Sequence, residues 1–582
     1  MATDHLLDDF PPISTAEWEA AIRRDLKGAD YQKKLIWRAE DGLTGKPYYR
    51  AEDLKSLALT DEAPGKFPFR RGARATGDWT IREEIDASDP AAGNRAALAG
   101  IGSGAEAIAF TGTFAHSSFT LEALTANLDE IPIHFEQAEE ELLRLLLERT
   151  KVHQTGVLIS TGFDPLSDLK LAAQVTQYAA PRFVPFTIHA EAFEESGATT
   201  VEEMGFALAS GVDFLAAMQE CGVDATSAAR ALEFRFAAGT DFFVQIAKLR
   251  AIRMLWARVT ESFGAGRTAV PARIAIRTSR WNKTVYDPNV NILRAATETM
   301  AAVYGGADAI TVAPFDECYT APVDASRRLA RNTQLLLKRE AFLNRVADPC
   351  GGSYYLEALT AHLADEAWKS MQQIEALGGY SKAKASGFIV NALASSLAAR
   401  EAAVARRRRV FIGTNQFADP AESALDRIDQ DRMNAMRRGA QMYEQLRLLT
   451  EWRVAEGQKR PRVLLAEFGD VRMRTMRSNF ASNLLACGGF EIAVKRFKKA
   501  CEVAAESADL IVLCSADPEY AEMAAELMPQ LERLGRATPV MIAGNPNNAE
   551  ELKAAGIADF VHARSNPIEL LTKLQRKLGI RD

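Results

Sequence analysis

Asp470 and Arg472 stand two residues apart inside Arg462–Thr475, RVLLAEFGDVRMRT, the stretch around which the chain's chemistry is organised. Val463 to Phe468 is an apolar run of strand length. Gly469-Asp470 turns the chain, and helical periodicity follows from Met473 to Ala486. A strand, a turn and a helix in that order place backbone N–H groups and loop side chains at the strand's carboxyl end, where open α/β sheets bind ligands. A carboxylate at such a turn has two uses. It can cap the helix by accepting from a first-turn N–H, or it can orient a group that holds a ligand. Arg472 bears on the second use, because metal ligation needs a lone pair and a guanidinium has none to give. The loop reads either as a cofactor loop with its key ligand missing or as a plain helix cap.

The elements around it narrow the choice. The chain has 582 residues, 25% charged and 47% hydrophobic, which predicts a globular protein of several domains, roughly three to four at about 150 residues each. A net charge of −7 argues against a nucleic-acid binder. No apolar run of membrane-spanning length stands out, so no membrane span is expected. The start, MATDHLLDDFPP, lacks the basic and apolar regions of a signal peptide. The six cysteines are scattered without a CxxC, so no metal cluster or disulfide framework is expected. A reducing cytoplasm fits.

Residues 1–65 read as an arm. Ser14 to Leu26 is a short amphipathic helix capped by Ser14 or Thr15, and Trp18, Trp37, Tyr48 and Tyr49 must bury against something else, either the chain's own barrel or a partner subunit. From Asp78, strand-like runs alternate with helical ones. The runs are Trp79–Ile85, Glu106–Thr111, Ile131–Phe135, Gly156–Thr161, Phe183–His189, Leu232–Ala237, Ala272–Thr278 and Asp308–Ala313. Eight βα units in series predict a closed (βα)8 TIM barrel over 66–345 with its site at the strands' carboxyl ends. Residues 346–460 read as a helical linker. Its run of four arginines, Arg406 to Arg409, is either a phosphate- or CoA-binding patch or, more in keeping with its helical surroundings and the lack of a Gly-rich cradle, a solvated or interface-facing linker. From Pro461 to Asp582 five shorter βα units predict a flavodoxin-like, Rossmann-like open sheet.

Long stretches of the chain resemble the methylmalonyl-CoA mutase family. They are IAKLRAIRMLWARV (Ile246–Val259), TSRWNKTVYDPNVNILRAATETMAAVYGGADAITVAPFDE (Thr278–Glu317), SRRLARNTQLLLKRE (Ser326–Glu340) and DPCGGSYYLEALT (Asp348–Thr360). Asp78 to Arg82, DWTIR, is similar to the family's first barrel strand. The resemblance implies that residues 461–582 are a cobalamin-binding-type domain and that CoA threads the barrel past small inner side chains. It also implies a radical carbon-skeleton rearrangement, started by homolysis of the adenosylcobalamin Co–C bond, that interconverts (R)-methylmalonyl-CoA and succinyl-CoA. Subunits of the family come in a catalytic kind and a homologous small kind that pairs with it and has lost the site.

Carried over residue by residue, the resemblance favours the small kind. The family's Asp-x-His-x-x-Gly loop matches here as Asp470, Arg472 and Thr475, with arginine at the cobalt-ligating histidine and threonine at the glycine. The active-site tyrosine after Trp-Thr-Ile-Arg corresponds to Glu84. One barrel histidine corresponds to Ala192, with His189 a near substitute, and another to Arg277 or a neighbour. In the nucleotide-tail pocket Ser515 is retained, but the family's Gly-Gly reads Ala543-Gly544, and a Cβ there would narrow the slot. Radical catalysis needs a dry cavity with neutral donors beside the substrate; Glu84 and Arg277 would put charges there. These losses imply a degenerate, non-catalytic small subunit that binds no cofactor, with adenosylcobalamin held by a catalytic large subunit in a heterodimer. The alternatives are a catalytic acyl-CoA mutase that binds cobalamin without the histidine, and a CoA or cobalamin carrier.

Overall fold

The computed structural model describes residues 13–581 apart from 39–43, 56, 58–61, 153–156, 180–181 and 267–269. Gly156, the expected start of the fourth strand, and the first twelve residues lie outside the described ones.

Eight parallel strands close into a barrel. In chain order they are β1 (Thr80–Asp86), β2 (Ala107–Thr111), β3 (Ile133–Phe135), β4 (Ile159–Thr161), β5 in two pieces (Phe183–Val184 and Phe186–His189), β6 (Leu232–Ala238), β7 (Arg273–Thr278) and β8 (Ala309–Thr311). Each expected strand is present, shorter by a few residues at most ends. Proline has no N–H for a ladder, and Pro185 is where β5 divides. Its first piece pairs with β4 and its second with β6, so one strand serves both neighbours and the sheet closes. Helices return the chain between strands, as parallel pairing requires. Thr200–Glu220 starts from a capping box in which Thr199 N donates to Glu202 at 2.8 Å and Glu202 N donates back to Thr199 at 3.2 Å.

The segment after the barrel folds back on it. Helix Tyr354–Ala376 starts at its cap Ser353 and lies along helices Phe242–Thr260 and Thr200–Glu220. Fully buried Arg250 ties it down, donating to Glu357 at 2.7 Å, Thr360 at 2.9 Å and Asp348 at 3.2 Å. In the arm, helix Thr15–Asp25 is capped by Ser14. Trp18 stacks on Tyr48 at 5.1 Å, while Tyr49 and Trp37 lie against Tyr355, so part of the arm packs on this chain's own helix after the barrel.

One described helix, Phe388–Ala405, is long and apolar enough by length and composition to cross a bilayer, which the sequence reading did not anticipate. It is fixed to protein. Arg400 in its last third donates to the carbonyls of Glu194 and Ala198 and lies over the Trp281 ring at 4.1 Å.

Five parallel strands form the second sheet: β9 (Arg462–Glu467), β10 (Glu491–Arg496), β11 (Leu510–Cys514), β12 (Val540–Ala543) and β13 (Asp559–Val561). Their spatial order is β10-β9-β11-β12-β13, the flavodoxin-like order with its switch point beside β9. Helices Val471–Leu485 and Pro567–Lys577 cover one face, and Tyr520–Arg533 the other. The first face shares its core with Trp281, which follows β7 of the barrel. Helix Gln441–Ala455 bonds to both units: Glu444 accepts from Val285 N at 2.8 Å, and Leu446 O accepts from Gln575 at 2.6 Å.

Candidate functional site

The carboxyl end of the barrel is filled by a chain of alternating cations and anions. Alternate residues of a barrel strand face inward, and here several of those positions are charged. On β1 they are Arg82 and Glu84, on β3 His134, on β6 Glu233 and Arg235, and on β7 Arg277. Arg277 forks between two carboxylates. Nε and Nη2 donate to Glu84 at 2.8 and 2.9 Å, and Nη1 and Nη2 to Glu317 at 3.1 and 2.6 Å. Arg235 donates at 3.2 Å to the Glu84 Oε1 that also accepts from Arg277 Nε, and to Glu136, and its Nε lies 3.4 Å from Glu191. Deeper in, Arg82 pairs with Glu233 at 3.1 Å.

Charge decides the protonation of these groups. Burial alone would push the Glu84 carboxyl up, but Arg277 and then Arg235 outweigh it and hold it below its ordinary value. Glu317 is held down in the same way by Arg277, and Glu136 by Arg235. His189 is half-buried, which disfavours its charged form. Its bond to Glu191 at 2.9 Å outweighs that and raises it to about 9, so the ring is an imidazolium near neutral pH. Its other nitrogen donates to Gly162 O at 2.8 Å. An imidazolium with both N–H groups engaged has no lone pair with which to take a proton. His134 goes the other way: burial, then the charge of Arg82, holds it well below the ordinary histidine value.

The structure therefore brings Glu84 and Arg277 together, as their charges suggest. Ala192 does not join them. β5 ends at His189, the chain turns into the short helix Glu191–Glu195, and that turn leaves Ala192 exposed and Glu191 buried. The inward position after β5 belongs to Glu191. Sequence reasoning also missed Arg235, Glu136 and Glu317. The signal for the first was present: LEFRF sets Glu233 and Arg235 at alternate positions of an otherwise apolar strand.

At the switch point of the second sheet, Asp470 is the N-cap of helix Val471–Leu485, its carboxylate accepting from Met473 N at 3.0 Å. Arg472 and Thr475 are exposed on that helix. Buried Ser515, just past β11, donates to Phe468 O at 3.2 Å and to Glu519. Gly469, with φ of 66°, needs glycine twice over, since a Cβ there would meet a Glu519 oxygen at 2.5 Å. A Cβ on Gly544 would meet Asp517 at 2.9 Å and Arg477 at 3.1 Å, and these two form an ion pair at 2.8 Å. The Cβ of Ala543 belongs to the core shared with Leu484 and Leu571, while Glu519 crowds Gly469 and Arg477 and Asp517 crowd Gly544. Among the described residues no cluster of three or more His, Cys, Asp and Glu could hold a metal ion.

The profile of the family described as "Methylmalonyl-CoA mutase" matches residues 161–482, from β4 of the barrel into the first helix of the second sheet. The chain belongs to the methylmalonyl-CoA mutase family. It is 35% identical to the methylmalonyl-CoA mutase small subunit of Porphyromonas gingivalis, over 99% of both chains. It is 34% identical to the small subunit of Streptomyces virginiae, over 99% of this chain and 98% of that one. A methylmalonyl-CoA mutase of Rhizobium meliloti is 30% identical over 73% of this chain and 67% of its own. The cobalamin that the family implies does not fit the residues present. Asp470 is spent on a helix cap, Arg472 offers no lone pair, and Glu519 bonds to Ser515 against Gly469.

Proposed function

We propose that this chain is the small, non-catalytic subunit of a heterodimeric methylmalonyl-CoA mutase and supports a large subunit that holds adenosylcobalamin and interconverts (R)-methylmalonyl-CoA and succinyl-CoA. One observation carries the reading. The inner end of the barrel is occupied by the chain Glu317–Arg277–Glu84–Arg235–Glu136, whose charges are mutually paired. A substrate thioester placed there would have to break charge pairs in a low-dielectric interior, at a cost of several kcal/mol per unpaired ion. The state of the second sheet agrees. The names of the full-length relatives support a partner. The six cysteines, all free, support a reducing cytoplasm.

Adenosylcobalamin titrated into the purified chain and followed by visible absorbance tests the reading, repeated with Arg472→His. No spectral change with either form is the expected result, because restoring a lone pair frees neither Asp470 nor the space held by Glu519. Tight binding by the unmodified chain would overturn the reading in favour of a histidine-independent mutase or a carrier.

A further inference from the structure

A small cavity beyond the carboxyl end of β6 has no role in the site described above. It lies between the starts of helices Thr200–Glu220 and Phe242–Thr260 and the last turns of helix Phe388–Ala405. None of the five charged residues paired inside the barrel lines it. Two buried carboxamides do, and both are short of partners. Gln245 is 7% exposed, its Oε1 is buried without a hydrogen bond, and no described residue bonds to its Nε2. Asn282 is 1% exposed. Its Nδ2 donates to Glu298 at 3.3 Å, which fixes the amide's orientation and leaves Oδ1 buried with nothing to accept from. The two amides meet over Gly239: a Cβ there would come 3.6 Å from Gln245 Nε2 and 3.7 Å from Asn282 Nδ2.

Buried polar atoms in a folded chain are normally bonded, and leaving an acceptor bare costs stability. Two bare amide oxygens beside one cavity therefore mark a place for a group that donates. The charges nearby do not call for an ion, because they are already engaged. Glu203 accepts from Lys248 at 2.8 Å and from Ala237 N at 3.2 Å, and Glu194 accepts from Arg400 at 3.1 Å. Arg409 donates to Thr240 at 2.5 Å, and Asp241 at the rim is engaged as well. What fits is a neutral group with N–H donors. The cavity measures about 60 Å³, and one water needs roughly 10–15 Å³, so a head of about four heavy atoms can enter. Exposed Thr240 and Asp241 form its mouth, where the rest of a larger ligand emerges.

We propose that this cavity holds the head of a primary carboxamide. The ligand's carbonyl accepts from Gln245 Nε2 while one of its N–H groups donates back to Gln245 Oε1, a cyclic amide pair, and its second N–H satisfies Asn282 Oδ1. A carboxylate of the same shape brings no donor to the bare oxygens, and its charge goes unpaired among groups already engaged. The rest of the ligand is either a flat aromatic ring, as in nicotinamide, or an aliphatic amino acid, as in glutamine; both present the same head. The inference does not rest on the subunit reading, since the cavity is built by this chain alone.

Isothermal titration of the full chain with nicotinamide and L-glutamine, beside nicotinate and L-glutamate, tests it, repeated with Gln245→Leu and Gly239→Ala. Gln245→Leu takes away no bond within the chain, and an alanine methyl at 239 sits at ordinary contact distance, so both variants should fold as the parent does. The expected result is saturable binding of at least one carboxamide and of neither carboxylate. Gln245→Leu removes two hydrogen bonds to the ligand and should weaken binding roughly tenfold or more, and Gly239→Ala, which narrows the cavity, should weaken it as well. Binding of nicotinamide alone assigns an aromatic carboxamide, and binding of L-glutamine alone assigns an aliphatic one. No binding of either carboxamide, a carboxylate that binds as tightly, or binding unchanged in Gln245→Leu would each overturn the inference.

Discussion

Arg277 is the residue on which the barrel interior depends. It satisfies Glu84 and Glu317 at once; Glu317 is buried and Glu84 nearly so. Removing one partner of a buried ion pair leaves an uncompensated charge, which costs about 3–5 kcal/mol. Arg277→Leu is therefore expected to destabilise the chain by that amount in urea unfolding. A loss under 1 kcal/mol would mean that the network is open to solvent. His189 gives a pH signature. Its folded value of about 9 lies above the ordinary 6.5, so its contribution to stability is complete below about pH 6.5 and is lost as pH rises towards 9. The imidazole resonances of His189 should titrate near 9 by NMR, and His189→Gln should flatten the fall in stability across that window. Glu84 and Arg277 could be picked out from the family resemblance; by pattern alone Glu84 could not, because β1 reads TIREEID, where a charge is not conspicuous. Glu317 could not, because it comes from the loop after β8 and nothing local points it inward.

Among elements, helix Val471–Leu485 shows how one motif passes from ligand chemistry to structure. Asp470, which the resemblance aligns with the aspartate of the family's cofactor loop, is its N-cap. Asp470→Ala should cost about 1 kcal/mol, as loss of an N-cap does, read as a shift in the urea midpoint at constant slope. An unchanged midpoint would mean that Asp470 is held for something other than the helix. The strand–turn–helix was legible from its apolar run and Gly-Asp turn. The crowding over Gly469 and Gly544 was not, because Glu519 and Asp517 follow β11 and meet this helix's Arg477 only once the sheet has formed. The two-piece β5 follows the same logic: proline marks a break, but closure makes the break a shared strand.

For the whole molecule, the proposed role is association. A partner that binds only the folded chain stabilises it by mass action. Mixing this chain with a catalytic methylmalonyl-CoA mutase subunit from the same source should give a 1:1 species by sedimentation and raise the melting temperature of both. Two separate boundaries with unchanged melting would count against the heterodimer. The arm contributes to this expectation only in part, since Tyr49 and Trp37 already lie on this chain's own Tyr355. Trp18 remains 45% exposed, enough apolar surface to bury in a partner.

By itself the sequence determined the succession of elements, because strand and helix periods are local. Eight runs then five, with helices between, admit little besides a barrel followed by an open parallel sheet. It also determined that position 472 has no lone pair, a property of the residue alone. Which charges meet was decided by the tertiary structure. Arg235 and Glu84 are 151 residues apart and Arg277 and Glu84 are 193 apart, and a two-residue period says only that a side chain faces inward. Partners across a barrel are set by closure and register, which no single strand encodes. The same holds for Ala192 and Glu191, where one residue of turn after β5 decided which side chain entered the interior.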